Sequence, residues 1–208
     1  MAAKPVTKPV FDAPDQPIRA ASTVVLTRAV AGGHEVLMGQ RGAAAAFMPS
    51  KYVFPGGAVD AEDALPDPLP LDTVCAARLA QFTPPGPLVA AALRELAEET
   101  GLTLRADRPS LRFVFRAITP PGRSRRFDAS FFLADAADII GDPSDFSGAE
   151  DELSHLHWIG LAEARALDLP FVTEVVLAEV KNLLADGTQP GVPFFDNSGP
   201  VPTFRRIA

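Results

Sequence analysis

Cysteine is all but absent: Cys75 is the single one in 208 residues. That excludes an internal disulfide and suits a reducing compartment. Positive charge is not in excess either, since 19 Lys and Arg stand against 26 Asp and Glu, a formal net charge of -7. Binding a phosphate backbone takes a basic surface, so general nucleic-acid binding is excluded, whereas a small anion neutralised locally is not. No apolar run reaches membrane-spanning length and no signal peptide opens the chain, which leaves no membrane role. The final Arg205-Arg206-Ile207-Ala208 matches no address signal. The expectation is a soluble, cytoplasmic protein. At this length, with 47% hydrophobic residues, one domain with a substantial core fits.

Proline marks the ends. Pro5, Pro9, Pro14 and Pro17 make residues 1–18 an extended arm. Pro190, Pro193, Pro200 and Pro202, set among Phe194, Phe195 and Phe204, make residues 188–208 an extended tail with aromatic anchors. Between them, residues 19–187 read as one mixed α/β domain. Ala21–Thr27 and Glu35–Gln40 form a hairpin about Gly32-Gly33, and Tyr52-Val53-Phe54 is a short strand stopped by Pro55-Gly56-Gly57. Leu111–Ile118, Phe127–Ala134 and Leu156–Ile159 are further strands. Residues 64–86 are rich in proline and read as a surface insertion with one short helix near Thr73–Gln81. Helices follow at Leu161–Leu167 and Pro170–Ala185.

Leu88–Thr100 is the clearest helix, with Pro87 in its first turn and Gly101 as its stop. Val89, Leu93 and Leu96 form its apolar stripe, and Glu95, Glu98 and Glu99 should converge on the opposite face. Three like charges packed together raise the energy of the fold unless a cation joins them, and carboxylate oxygens are what a hard divalent ion prefers. Arg94 lies one turn before Glu98 and is placed to hold it in a ligating rotamer. A solvated acidic face is the plainer reading of Glu-x-x-Glu-Glu alone. The longer pattern argues against it. Six identities, each found about once in 15 residues, coincide by chance in roughly 10⁻⁵ of chains this long.

That segment, Arg94-Glu95-Leu96-Ala97-Glu98-Glu99-Thr100-Gly101-Leu102, resembles the second half of the Nudix box, G-x5-E-x7-R-E-U-x-E-E-x-G-U, where U is bulky and apolar. Phe54-Pro55-Gly56-Gly57 resembles the strand and turn that open the box. The resemblance implies a Nudix-type α/β/α sandwich with a mixed sheet. It also implies a metal-dependent hydrolase, of MutT type, that opens the diphosphate linkage of a small nucleoside-diphosphate-like substrate by water attack. Mg²⁺ or Mn²⁺ would be held by Glu95, Glu98, Glu99 and the Gly56 carbonyl. Glu95, or a glutamate of the Glu150/Glu152 loop, would take the proton of the attacking water. Arg41, Lys51 and Arg126 would bind substrate phosphates. Dimers are common in the family, which allows a homodimer here.

The sequence departs from the box at one place. Where the box has its first Glu, six residues after Gly57, stands Asp63, and from Asp63 to Arg94 is 31 positions where the box has 8. This leaves the role of Asp63, and of Asp60, unassigned. An interrupted box of this kind is similar to the branch related to a peroxisomal coenzyme A diphosphatase, through Arg41, Phe47-Met48-Pro49, Arg126-Phe127-Asp128 and Glu152 to Trp158. The stricter coenzyme A signature has Gly nine residues after the arginine, where this chain has Ser50. Two other readings compete on the same fold. A catalytically silent nucleotide-binding regulator would be expected to lose box glutamates, and all three are kept. An isoprenoid-diphosphate isomerase would want a reactive cysteine, and Cys75 has no partner in the sequence. His155, His157 and Trp158 read as structural.

Overall fold

The computed structural model describes residues 16–65, 68–199 and 201–208. Strand β1 (Ile18–Val30) holds Val24, Val25 and Leu26 fully buried in succession. A strand can bury neighbouring residues only if both of its faces are covered. Both are: Val24 and Leu26 belong to one apolar cluster and Val25 to another. β2 (Gly33–Arg41) returns antiparallel to the second half of β1, with Thr27 opposite Val36. β3 (Tyr52–Val53) lies against β2, and β4 (Gly56–Ala58) against the first half of β1.

Helices α1 (Thr73–Ala80) and α2 (Pro85–Thr100) come next, then β5 (Thr103–Leu104), β6 (Arg112–Ile118), β7 (Arg126–Asp135), β8 (Ile139–Ile140) and β9 (Leu153–Gly160). Helix α3 (Phe171–Asp186) leads to β10 (Val192–Asp196) and β11 (Thr203–Ile207). The main sheet runs β11-β10-β6-β7-β1-β2-β3, with β9 also on β2. Its β1–β7 and β6–β10 pairs are parallel and its other pairs antiparallel, which makes it mixed. Leu79 of α1 and Leu88, Val89 and Leu96 of α2 cover one face; Val176, Leu177, Val180 and Leu183 of α3 cover the other. The result is the expected α/β/α sandwich. No helix among the described residues is long and apolar enough to cross a membrane.

Four segments differ from the sequence reading or lie outside it. Most of the N-terminal arm falls outside the described residues, and Ile18 already belongs to β1. The insertion is not merely superficial, because Leu71, Cys75 and Leu79 are buried in the cluster under α2. The i, i+4 spacing of Cys75 and Leu79 gives α1 an apolar stripe, and burying it offsets the ordering of the loop. At 161–167 there is no α-helix, only a 3-10 turn at Glu163–Ala166. The described residues after 188 include β10 and β11, which are part of the sheet rather than a tail outside it. Val192 and Phe194 are essentially fully buried, and β10 pairs with β6. Pro193 lies one residue before the Phe194–Phe195 register that β10 shares with β6.

Candidate active site

Helix α2 starts on Pro85, whose missing N–H would have had no helical partner, and stops at Gly101, where φ of 74° is the left-handed turn that glycine takes most readily. Leu88, Val89, Ala92 and Leu96 seat it on the sheet. At about 100° per residue, Glu99 is only about 60° around the helix from Leu96. It is therefore drawn under the helix: Glu99 is 2% exposed, while the side chains of Glu95 and Glu98 are 12% and 43% exposed. The three glutamates do not share one outward face. They step from core to solvent.

Each has its own surroundings. Glu99 Oε2 accepts a hydrogen bond from the Gly56 N–H at 2.7 Å, and Glu99 Oε1 is buried without a hydrogen-bond partner. Burial pushes its carboxyl up to about 8, aided by the nearby charges of Glu152 and Glu95 and opposed by the Gly56 N–H and Arg41. Burial raises the Glu95 carboxyl too, against the pull of Arg94. Glycine is required beneath them. A Cβ on Gly57 would lie 2.2 Å from Glu95 Oε1, and one on Gly56 would lie 2.4 Å from the Ser22 carbonyl oxygen. Two bare backbone positions on β4 let the carboxylates of α2 rest against the strand.

Arg94 organises the rest. Its guanidinium contacts Glu95 Oε1 at 2.9 Å, Glu98 Oε2 at 3.1 Å, Asp63 Oδ2 at 2.8 Å and Asp60 Oδ2 at 3.7 Å. The contact with Glu98 is the one the helix spacing implied. The grip of Asp63 was not legible as such. Its two oxygens take Arg94 Nε and Nη2, its side chain is 5% exposed, and the arginine holds its carboxyl below the ordinary value. The insertion thus leaves and re-enters the fold at one point, so the pair survives a separation of 31 positions. The signal lay in the sequence: Asp63 stands where the box has its acid.

The Glu150 N–H donates to the Glu98 carbonyl at 2.8 Å, which docks the loop before β9 onto the end of α2. Pairing of Arg41 with Leu153 across β2 and β9 then sets Glu152 beside Arg41, and the two meet at 2.7 Å. Lys51 is paired with Asp168. Arg126 is 4% exposed; its Nε donates to the Thr119 carbonyl, and its Nη2 to those of Asn197 and Ser198. The structure therefore brings Arg94, Glu95, Glu98, Glu99 and Gly56 together with Arg41 and Glu152. Lys51 is tied to the Asp168 loop, and Arg126 is a strut joining β7 to the last hairpin.

Ser50 sits at φ 60°, the region that favours glycine, so its backbone has the shape a glycine at that position would take. The Cys75 thiol is pushed up to about 11 by burial and is an inert core group. His155 and His157 bond Gln40 and the His155 carbonyl, respectively. Trp158 is half-buried beneath Arg28 and donates to the Pro143 carbonyl.

The donors suit a hard divalent cation. All are oxygens, and Glu99 Oε1 is a buried lone-pair site with nothing bonded to it. Among the described residues no three His, Cys, Asp or Glu side chains are already gathered tightly enough to cage an ion. Glu95 and Glu98 are instead turned onto Arg94, and Glu99 onto the Gly56 N–H.

A family model described as the NUDIX domain matches residues 83–180. The match begins just before α2, where the interrupted box resumes. Among solved structures, a NUDIX hydrolase from Alicyclobacillus acidocaldarius is 25% identical, with a TM-score of 0.61, covering 80% of this chain and 92% of that one. The NUDIX domain of Shewanella oneidensis NrtR, complexed with ADP ribose, shares the fold at 16% identity and a TM-score of 0.54 over 81% and 90% of the two chains. A MutT NUDIX hydrolase from Burkholderia pseudomallei shares it at 21% and 0.50, over 79% and 99%. No curated protein matches the chain. Residues 83–180 thus carry a match to the Nudix domain, and the fold around them is that of the Nudix hydrolases. The chain's class is that of the Nudix hydrolases.

Proposed function

We propose that this chain hydrolyses the diphosphate linkage of a small nucleoside-diphosphate-like substrate, of coenzyme A, nucleotide-sugar or dinucleotide type, in the presence of Mg²⁺ or Mn²⁺. The observation that carries the reading is the buried Glu99, held by the Gly56 N–H with its second oxygen unbonded, beside Glu95 and Glu98. Glu95, Glu98, Glu99 and the Gly56 carbonyl would hold the ion. A divalent cation there supplies positive charge for the phosphoryl oxygens and lowers the pKa of water.

The protein supplies the remainder. Water attacks one phosphorus, the bridging P–O bond breaks, and two phosphate esters leave. The water proton goes to Glu95, whose burial makes it a stronger base, or to Glu152, which Arg41 holds at 2.7 Å. Arg94 is a positioning residue: it fixes Glu95 and Glu98 against Asp63. Arg41, paired with Glu152, and Lys51, whose carbonyl accepts the Arg41 N–H, would supply positive charge for substrate phosphates. Ser50 stands where the coenzyme A signature has glycine, and its left-handed backbone is one that glycine adopts readily.

A panel of diphosphate compounds incubated with Mg²⁺ or Mn²⁺, with products identified by mass, tests the reading. Cleavage at the diphosphate, lost in Glu98→Gln, is expected. Tight binding of a nucleotide without cleavage would replace it by the silent-regulator reading.

A further inference from the structure

The start of β1 and the loop leading into β7 enclose an open recess of about 320 Å³. Arg19, Arg125 and Arg126 line it, with Phe127 and Pro17 as its apolar wall. Three guanidinium groups around one recess run against a chain whose net charge is -7. Arg126 is committed to the carbonyls of Thr119, Asn197 and Ser198, so Arg19 and Arg125 are the cations that bear on a ligand. Among the described residues Arg19 pairs with Asp60, at 3.5 Å, and Asp60 is shared with Arg94 at 3.7 Å. Arg125 is exposed and makes no ion pair with the described residues.

The loop that presents Arg125 is braced. Ser124 Oγ donates to the Ala46 carbonyl at 3.0 Å, the Phe47 ring meets Phe127 edge-on at 5.2 Å, and Arg126 anchors the far side through Thr119 and Asn197. The contacts also fix where the recess lies. Arg19 touches Asp60, Asp60 touches Arg94, and Arg94 touches Glu95 and Glu98. The recess is therefore linked through two ion pairs, both on Asp60, to the guanidinium that holds the active-site glutamates. Arginine forks fit phosphate oxygens in pairs, and a phosphate monoester carries close to two negative charges at neutral pH.

We propose that this recess is a second anion subsite, built from Arg19 and Arg125 on the frame set by Arg126, for a phosphate ester that the substrate carries outside its scissile diphosphate. The proposal rests on the diphosphatase reading and narrows it: substrates with such an extra phosphate are preferred to those without it. Phe127 packs on the sugar or base bearing that phosphate.

The test uses two pairs of compounds that differ by one phosphate, NADPH against NADH and coenzyme A against dephospho-coenzyme A. Binding is measured by calorimetry in EDTA, so that no turnover is needed, on the full chain and on Arg19→Gln and Arg125→Gln. The phosphorylated member of at least one pair should bind 10-fold or more tighter. That preference should shrink toward unity in Arg125→Gln, with unchanged melting temperature, and should weaken with salt. Equal affinities within both pairs, no binding of any of the four, or a preference untouched by both substitutions would overturn the subsite. Hydrolysis by the metal-supplemented chain is scored separately. Glu98-dependent cleavage without a phosphate preference sinks only the subsite, and absence of all cleavage sinks only the diphosphatase reading.

Discussion

Glu99→Gln exchanges a buried carboxyl for an amide of the same shape, and its effect on stability should depend on pH. In the fold the Glu99 carboxyl is pushed up to about 8, against an ordinary value of 4.5. Because the folded value is the higher one, the stability contributed by its proton is fully present below pH 4.5 and lost as pH rises through 8. The interval between the two values corresponds to about 5 kcal/mol at most, of which about 3 kcal/mol has gone by pH 7. Gln cannot ionise, and its carbonyl can still accept from the Gly56 N–H, the bond that Glu99 Oε2 makes at 2.7 Å. In EDTA the two proteins should therefore unfold in urea at similar midpoints at pH 5, with the Gln variant pulling ahead as pH rises to 8. Millimolar Mg²⁺ or Mn²⁺ should close the gap by stabilising the wild type, since a cation satisfies the ionised carboxylate and its unbonded Oε1. A gap that does not change with pH, or equal stabilisation of both proteins by the ion, would refute the reasoning.

Other changes bear on other links. Glu98→Gln, at a half-exposed position that supports no core contact, should lower kcat by roughly 10³-fold with the melting temperature nearly unchanged, checked by turnover and calorimetry. Asp63→Asn frees one side of Arg94, which keeps Glu95 and Glu98; the loss should be about 2 kcal/mol near neutral pH by urea unfolding. Since the Asp63 carboxyl is held below its ordinary 3.8, that difference should shrink as pH falls through the lowered value. Ser50→Gly relieves a left-handed backbone and should raise stability by about 1 kcal/mol, with KM little changed. Ending the chain at Gly191 removes Val192 and Phe194 from the core and exposes the edge of β6; a truncated chain that melted like the whole would contradict the sheet described here.

Local chemistry was readable from the chain itself. Period-2 and period-3.6 patterns, a proline start and a glycine stop are short-range physics, so β1, β2, β6, β7, α2 and α3 and the identity of Glu95, Glu98 and Glu99 followed from spacing. The depth of Glu99 did not, because 60° around a helix becomes burial only when a strand with two glycines lies beneath it. The same holds for Asp63 and Arg94, far apart in sequence and bonded in space, and for the last twenty residues. Their prolines suggested a tail, yet apolar side chains drew them onto the edge of the sheet. Which arginines face the recess was likewise a tertiary decision. Charge type is written in the sequence, but desolvation and pairing depend on what the fold sets alongside each group.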